Sequence, residues 1–141
     1  MIIWINKALA LAIHDRQLAE HGGASGVRDD ALLDSALARP QQLYAYGDPP
    51  PDLAALAASV AFGLARNHPF VDGKKRTAAV GCEVFIMLNG GTLRAEDHEL
   101  YLQYLGLAEG SLDEAGFADW LRPCIAIKPG GRVQETADSG A

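Results

Sequence analysis

Between Lys74 and Leu88 the chain carries one charged side chain, Glu83, beyond the opening Lys74-Lys75-Arg76. Ala78, Ala79, Val80, Cys82, Val84, Phe85, Ile86 and Met87 leave almost no polar face when wound at 3.6 residues per turn. A helix apolar nearly all round is stable in water only if other elements enclose it. The chain must therefore supply several amphipathic partners. The fold class expected is all-α, a helical bundle around this central buried helix, which Asn89-Gly90-Gly91 ends.

The partners are visible. Ile5, Leu9, Ala12 and Ile13 recur at helical spacing before a Gly22-Gly23 stop. Asp29 or Asp30 can cap a second helix with Leu32, Leu33, Ala36 and Leu37 inward, ending near Pro40. Gln41 to Pro51 holds three prolines and Gly47, and predicts a loop or short hairpin rather than a regular helix. Pro51 suits the first turn of a third helix with the stripe Leu53, Leu56, Ala57, Val60 and Leu64. A fifth helix runs from about Ala95 to Leu107. Ser111 to Glu114 has the spacing of a capping box for a sixth, with Phe117, Trp120 and Leu121 inward. No other segment has a strand pattern. One domain over residues 1–127 is expected, followed by a Gly-rich polar tail, 128–141, that reads as disordered.

Charge and cysteine content narrow the function classes. The formal net charge is −6, whereas general nucleic-acid binders carry clustered basic surface, so no direct nucleic-acid partner is expected. Two cysteines, Cys82 and Cys124, do not make a disulfide framework, and Cys82 falls where a buried small apolar residue is needed. No run approaches the ~18 apolar residues of a membrane span. The apolar start lacks a basic leader and is broken by His14-Asp15-Arg16. A cytoplasmic protein with no membrane partner is the expectation.

The dense basic cluster, Lys74 to Arg76, follows His68-Pro69-Phe70-Val71-Asp72-Gly73 directly. Each part of this run suits a nucleotide phosphate with a divalent metal. A helix start offers unpaired N–H groups and a positive dipole end. Asp72 can hold a hard cation through oxygen, or cap the helix. Gly73 lets a phosphate approach the backbone. His68 can take a proton near neutral pH. Three cations at a helix N-terminus oppose the dipole, which points to a compensating anionic ligand. The run is not a P-loop, because Gly-Lys-Lys replaces Gly-Lys-Ser/Thr and a helix rather than a strand precedes it. His14-Asp15 by itself is weak support for a metal phosphohydrolase.

The run resembles the signature of the Fic/Doc family, and Gly26 to Gln41 is similar to the second-helix region of Doc-type (death-on-curing) toxins, over roughly residues 3 to 122. The resemblance implies His68 as the general base, Asp72 as a Mg²⁺ ligand, and Gly73, Lys74, Lys75 and Arg76 as the ATP-phosphate site. Arg66 matches a further basic position, for phosphate or target. Lys74 stands where the family usually has Asn; it supplies charge but not the amide's acceptor.

Fic adenylyltransferases follow HPFx[D/E]GNGRxxR. Here Lys75 takes the place of a glycine and Ala79 that of the final arginine; a Lys in that glycine's place is the Doc pattern. It implies a nucleotide bound in reverse, and a protein kinase that passes the γ-phosphate to a hydroxyl. For Doc proteins the resemblance implies a threonine of translation elongation factor Tu as target, and a small Phd-like antitoxin that covers the site. AMP transfer, or a Fic fold that only binds nucleotide or antitoxin, are the alternatives. The family's segment before helix three docks the target, a place that Gln41 to Gly47 would take here. An inhibitory [S/T]xxxE[G/N] helix has no match, since Thr92 and Glu96 are followed by Asp97.

Overall fold

A computed structural model describes residues 1–23, 29–66 and 74–127, with the side chains of Lys74 and Lys75 excepted. The expected tail lies outside these residues. The described chain is mostly helical, with one pair of short strands: α1 Lys7–His21, α2 Asp30–Tyr46, α3 Leu53–Arg66, α4 Lys74–Leu88, β1 Gly91–Leu93, α5 Asp97–Glu109, α6 Glu114–Leu121, a 3₁₀ turn Arg122–Cys124 and β2 Ile125–Ile127. The all-α bundle is as expected, and no helix among the described residues is long and apolar enough to cross a membrane.

Local chemistry accounts for the helix starts. The Asn6 side chain accepts from the Leu9 amide and Asp29 from those of Ala31 and Leu32. Asp52 caps α3 by accepting from Ala55 at 2.9 Å, so Pro51 precedes the cap rather than filling the first turn. Asp113 caps α6 through the Gly116 amide at 2.7 Å. The Ser111–Glu114 capping box is therefore not formed; the nearer carboxylate wins, and Glu114 pairs with Arg39 instead.

The helix enclosed on nearly all sides is α3, not α4. Leu53, Leu56, Ala57, Val60 and Leu64 are buried as expected, and so are Ala54, Ala58, Ser59, Ala61, Gly63 and Ala65. The cause is size, because small side chains let α2, α4, α5 and α6 all approach one axis. In α4, Ala78, Cys82, Phe85 and Ile86 face inward while Met87 is 60% exposed. Leu64 and Val60 of α3 lie against Gly81 of α4.

A second correction concerns α2, which passes through Pro40 to Tyr46, so that Gln41–Tyr46 is helix and not loop or hairpin. Pro40 takes away one backbone donor, but it is buried with Leu33 and Ala36 on one helix face. Burial of that face, and of half-buried Leu43 beyond it, offsets the lost bond. The loop before α3 shrinks to the link from Gly47 to Asp52. The pairing of β1 with β2, antiparallel with Thr92 opposite Ala126, was also not expected. Three residues are too few to show alternation.

Candidate functional site

The end of α3 and the start of α4 belong to adjacent, closely packed helices joined by residues 67–73. His68, Asp72 and Gly73 fall in that connection and lie outside the described residues. Lys74 and Lys75 open α4 where the sequence placed the helix start. The first-turn amides of α4 have no carbonyl within the helix to bond, and no acidic residue sits in that turn.

Arg76 is the one expected phosphate ligand on α4 whose side chain is described. Its Nη2 donates to the Gly22 carbonyl at 3.2 Å, tying α4 to the C-terminus of α1. Its Nε is buried with no hydrogen-bond partner among the described residues, and so is the hydroxyl of the next residue, Thr77. Thr77 is fully buried. Buried polar groups are paired in most native structures. Both atoms are closed to solvent, and the carbonyl four residues before Thr77 belongs to Gly73, outside the described residues.

Arg66 ends α3, where a cation suits the helix dipole. Its guanidinium lies over the Phe62 ring, 5.5 Å from the centroid, and against Gly110, the left-handed residue that closes α5. Arg39 of α2 uses the same ring at 5.0 Å. The structure thus packs Arg66 on Phe62 and beside the α5–α6 turn.

The target-docking place expected at Gln41 to Gly47 is the last turn and cap of α2. Tyr44 is 49% exposed and meets Trp4 edge-on at 5.6 Å; Tyr46 is 84% exposed. Neither is a core residue.

The phosphohydrolase alternative gains nothing. His14 is buried in α1 while Asp15 is exposed. Among the described residues no three His, Cys, Asp or Glu side chains form a group able to hold a metal. Cys82 is buried and Cys124 half-buried, both as free thiols. Burial pushes the Cys82 thiol up to about 12, far from a reactive thiolate.

Comparison of the sequence with known proteins points to one family. A family model described as the Fic/DOC family matches residues 4–86, which takes in α1 to α3, the connection and most of α4. The chain is 42% identical over 106 residues to Toxin Doc of Mycolicibacterium smegmatis, covering 69% of this chain and 82% of that protein. It is 31% identical over 112 residues to Protein kinase doc of Escherichia phage P1, covering 79% of this chain and 87% of that one.

Proposed function

Because the chain belongs to the Fic/DOC family, we propose that it is a Doc-type toxin acting as a protein kinase. The observation that carries this reading is the basic run itself. Lys75 stands where an adenylyltransferase needs glycine, and Ala79, half-buried in α4, stands where it needs arginine. The relative named as a protein kinase supports the same choice.

The start of α4 suits a nucleotide phosphate, since its first-turn amides have no carbonyl within the helix to bond. No acidic residue stands in that first turn, and the dipole end there is positive. Gly73, Lys74, Lys75 and Arg76 would hold the phosphates of ATP, and Asp72 would hold Mg²⁺ through oxygen. Bound there, ATP with its metal supplies an activated γ-phosphoryl group.

His68 takes the proton of the acceptor hydroxyl as its oxygen bonds to the γ-phosphorus. The bond from that phosphorus to the bridging oxygen breaks, and ADP leaves. Lys75 and Arg76 stabilise the charge on the phosphoryl oxygens, which is where most of the rate in such transfers arises. The protein substrate is elongation factor Tu, modified on a threonine, so that translation stops. A Phd-like antitoxin covers the same site. The place of action is the cytoplasm.

The test is transfer to elongation factor Tu with Mg²⁺ and ATP labelled on either the α- or the γ-phosphate. Label passing only from the γ position, and lost in His68→Ala, is the expected result. Label from the α position alone would make the protein an adenylyltransferase. No transfer from the native chain, with transfer recovered in Lys74→Asn, would make it a silenced member of the family.

A further inference from the structure

Gly22 and Gly110 close their helices alike and then differ. The Gly22 amide donates to the Leu18 carbonyl at 2.7 Å, and the Gly110 amide to the Gly106 carbonyl at 2.9 Å. Gly110, at φ 91° and ψ 4°, is a left-handed cap that turns the chain back, so that the Leu112 amide also reaches the Gly106 carbonyl. Gly22 has φ 77° but ψ 178°. That ψ swings the Gly22 carbonyl about half a turn from where a left-handed cap leaves it.

A backbone with positive φ and ψ near 180° is essentially closed to any residue but glycine. Packing does not call for glycine here, because a Cβ at position 22 would meet no described atom within 4 Å. Stopping the helix does not call for this ψ either, since Gly110 stops α5 without it. What the turned carbonyl meets is Arg76, whose Nη2 donates to it at 3.2 Å.

Arg76 is a side chain that benefits from such a hold. It is the third residue of α4, where the helix dipole disfavours a cation, whereas the C-terminal end of α1 favours one. Arginine also has many rotamers, and ordering such a side chain when a ligand binds costs affinity. With Nε enclosed and Nη2 on the Gly22 carbonyl, the plane of the guanidinium is set before any ligand arrives. Nη1 takes no part in that bond.

We infer that Gly22 is a positioning residue. Its carbonyl, aimed by a conformation that only glycine adopts, sets the orientation in which the Arg76 guanidinium meets a phosphate. The inference rests on the reading of Arg76 as a phosphate ligand given above, and its test separates the two.

The test is a double-mutant cycle of Gly22→Asn and Arg76→Ala, read by calorimetric titration with the Mg²⁺ complex of the non-transferable analogue AMP-PNP. Asparagine accepts the left-handed region and so still stops α1, but it does not accept ψ near 180° there, and its carbonyl turns away from Arg76. Gly22→Asn should keep the circular dichroism and the urea midpoint of the native chain. It should weaken AMP-PNP binding about threefold to tenfold, the effect of leaving one long side chain to be ordered by the ligand. In the Arg76→Ala background it should weaken binding no further. In the ligand-free chain, nitrogen-15 NMR should show slowed rotation of the Arg76 guanidinium, and Gly22→Asn should free it. Equal weakening in both backgrounds, or native binding by Gly22→Asn where Arg76→Ala loses it, would overturn the inference and leave Arg76 a phosphate ligand. Unchanged guanidinium rotation in Gly22→Asn would overturn it as well, and a lowered urea midpoint would make Gly22 a helix stop only. Native binding by Arg76→Ala, or no binding by the native chain, would remove the phosphate reading and the inference together.

Discussion

Arg76 donates to the carbonyl of Gly22 through one arm of its guanidinium, while its Nε is buried with no partner among the described residues. The two nitrogens therefore do different work. Nη2 ties the start of α4 to the end of α1, at an exposed carbonyl that water can also serve. Nε is enclosed and has no acceptor among the described residues.

Arg76→Ala should accordingly leave the fold intact and remove transfer. Loss of one preorganised donor at a developing charge costs about 100-fold or more in rate, so kcat/KM should fall by at least that factor, with far-ultraviolet circular dichroism unchanged. Arg76→Lys keeps the charge but not the forked donors, and should recover only a small part of the rate. Full recovery by lysine would reduce Arg76 to a point charge.

Gly63 of α3 faces the backbone of α2 so closely that a Cβ added there would lie 3.0 Å from the Ala36 carbonyl oxygen and 3.2 Å from the Ala36 Cα and Cβ. That carbonyl is the one whose helical partner would be the amide nitrogen of Pro40. In an ordinary helix Gly→Ala gains up to ~1 kcal/mol; overpacking between two backbones costs about 1–3 kcal/mol. Gly63→Ala should therefore destabilise by about 1 kcal/mol in urea unfolding. A stabilised variant would show that α2 can move aside.

This contact also explains why the second helix was misread. Locally, Pro40 and the prolines and glycine after it signal a break. The burial of Leu33, Ala36 and Pro40 on one face of α2 is a tertiary fact and overrode the local penalty. Enclosure of α3 rather than α4 has the same origin: hydrophobicity ranks Phe85 and Ile86 above Ala and Gly, while close approach of four helices ranks them in the opposite order. The caps at Asn6, Asp52 and Asp113 rest on adjacent residues and were open to sequence reasoning, though only the second helix was assigned its cap. The basic run at the start of α4 was legible because its residues are consecutive. The Arg39–Glu114 pair was not, because the two residues lie far apart in sequence and only packing joins them.

Cys82 predicts the alkaline limit of stability. Desolvation raises its thiol from an ordinary value near 9 to about 12, and burial also pushes the Tyr104 phenol upward. The folded thiol keeps its proton where the unfolded chain gives it up. Its stabilising contribution is therefore complete below pH 9 and is lost as pH rises toward 12, with a slope of about 1.4 kcal/mol per pH unit from this group. Cys82→Ala should lower stability at neutral pH by creating a small cavity, yet flatten the decline between pH 9 and 10.5 in urea titrations. An unchanged slope would mean that Tyr104 and the lysines carry the whole effect. In the native state Cys82 should also resist thiol reagents at pH 8, leaving half-buried Cys124 to react first.

Asn89 fastens the N-terminal segment to the end of α4. It is fully buried; its Oδ1 accepts from the Ile3 amide at 2.8 Å, and its Nδ2 donates to the Ile3 and Phe85 carbonyls, each at 2.9 Å. One side chain thus supplies both partners that a neighbouring strand would give to Ile3, and it satisfies an end carbonyl of α4 as well. Each such bond is worth about 1 kcal/mol net, and more where a buried group is left open. Asn89→Ala should cost about 3 kcal/mol. Asn89→Asp should be no milder, since a carboxylate would face two carbonyl oxygens where the amide now donates. Trp4, which follows this clamp and stacks on Phe85 at 5.9 Å, should report the loss. Its fluorescence maximum should move to the red in Asn89→Ala below the unfolding transition, and hydrogen exchange at Ile3 should accelerate before that of α3. If Trp4 emission and Ile3 exchange instead changed only at global unfolding, the clamp would be an ordinary part of the core and not a local fastening.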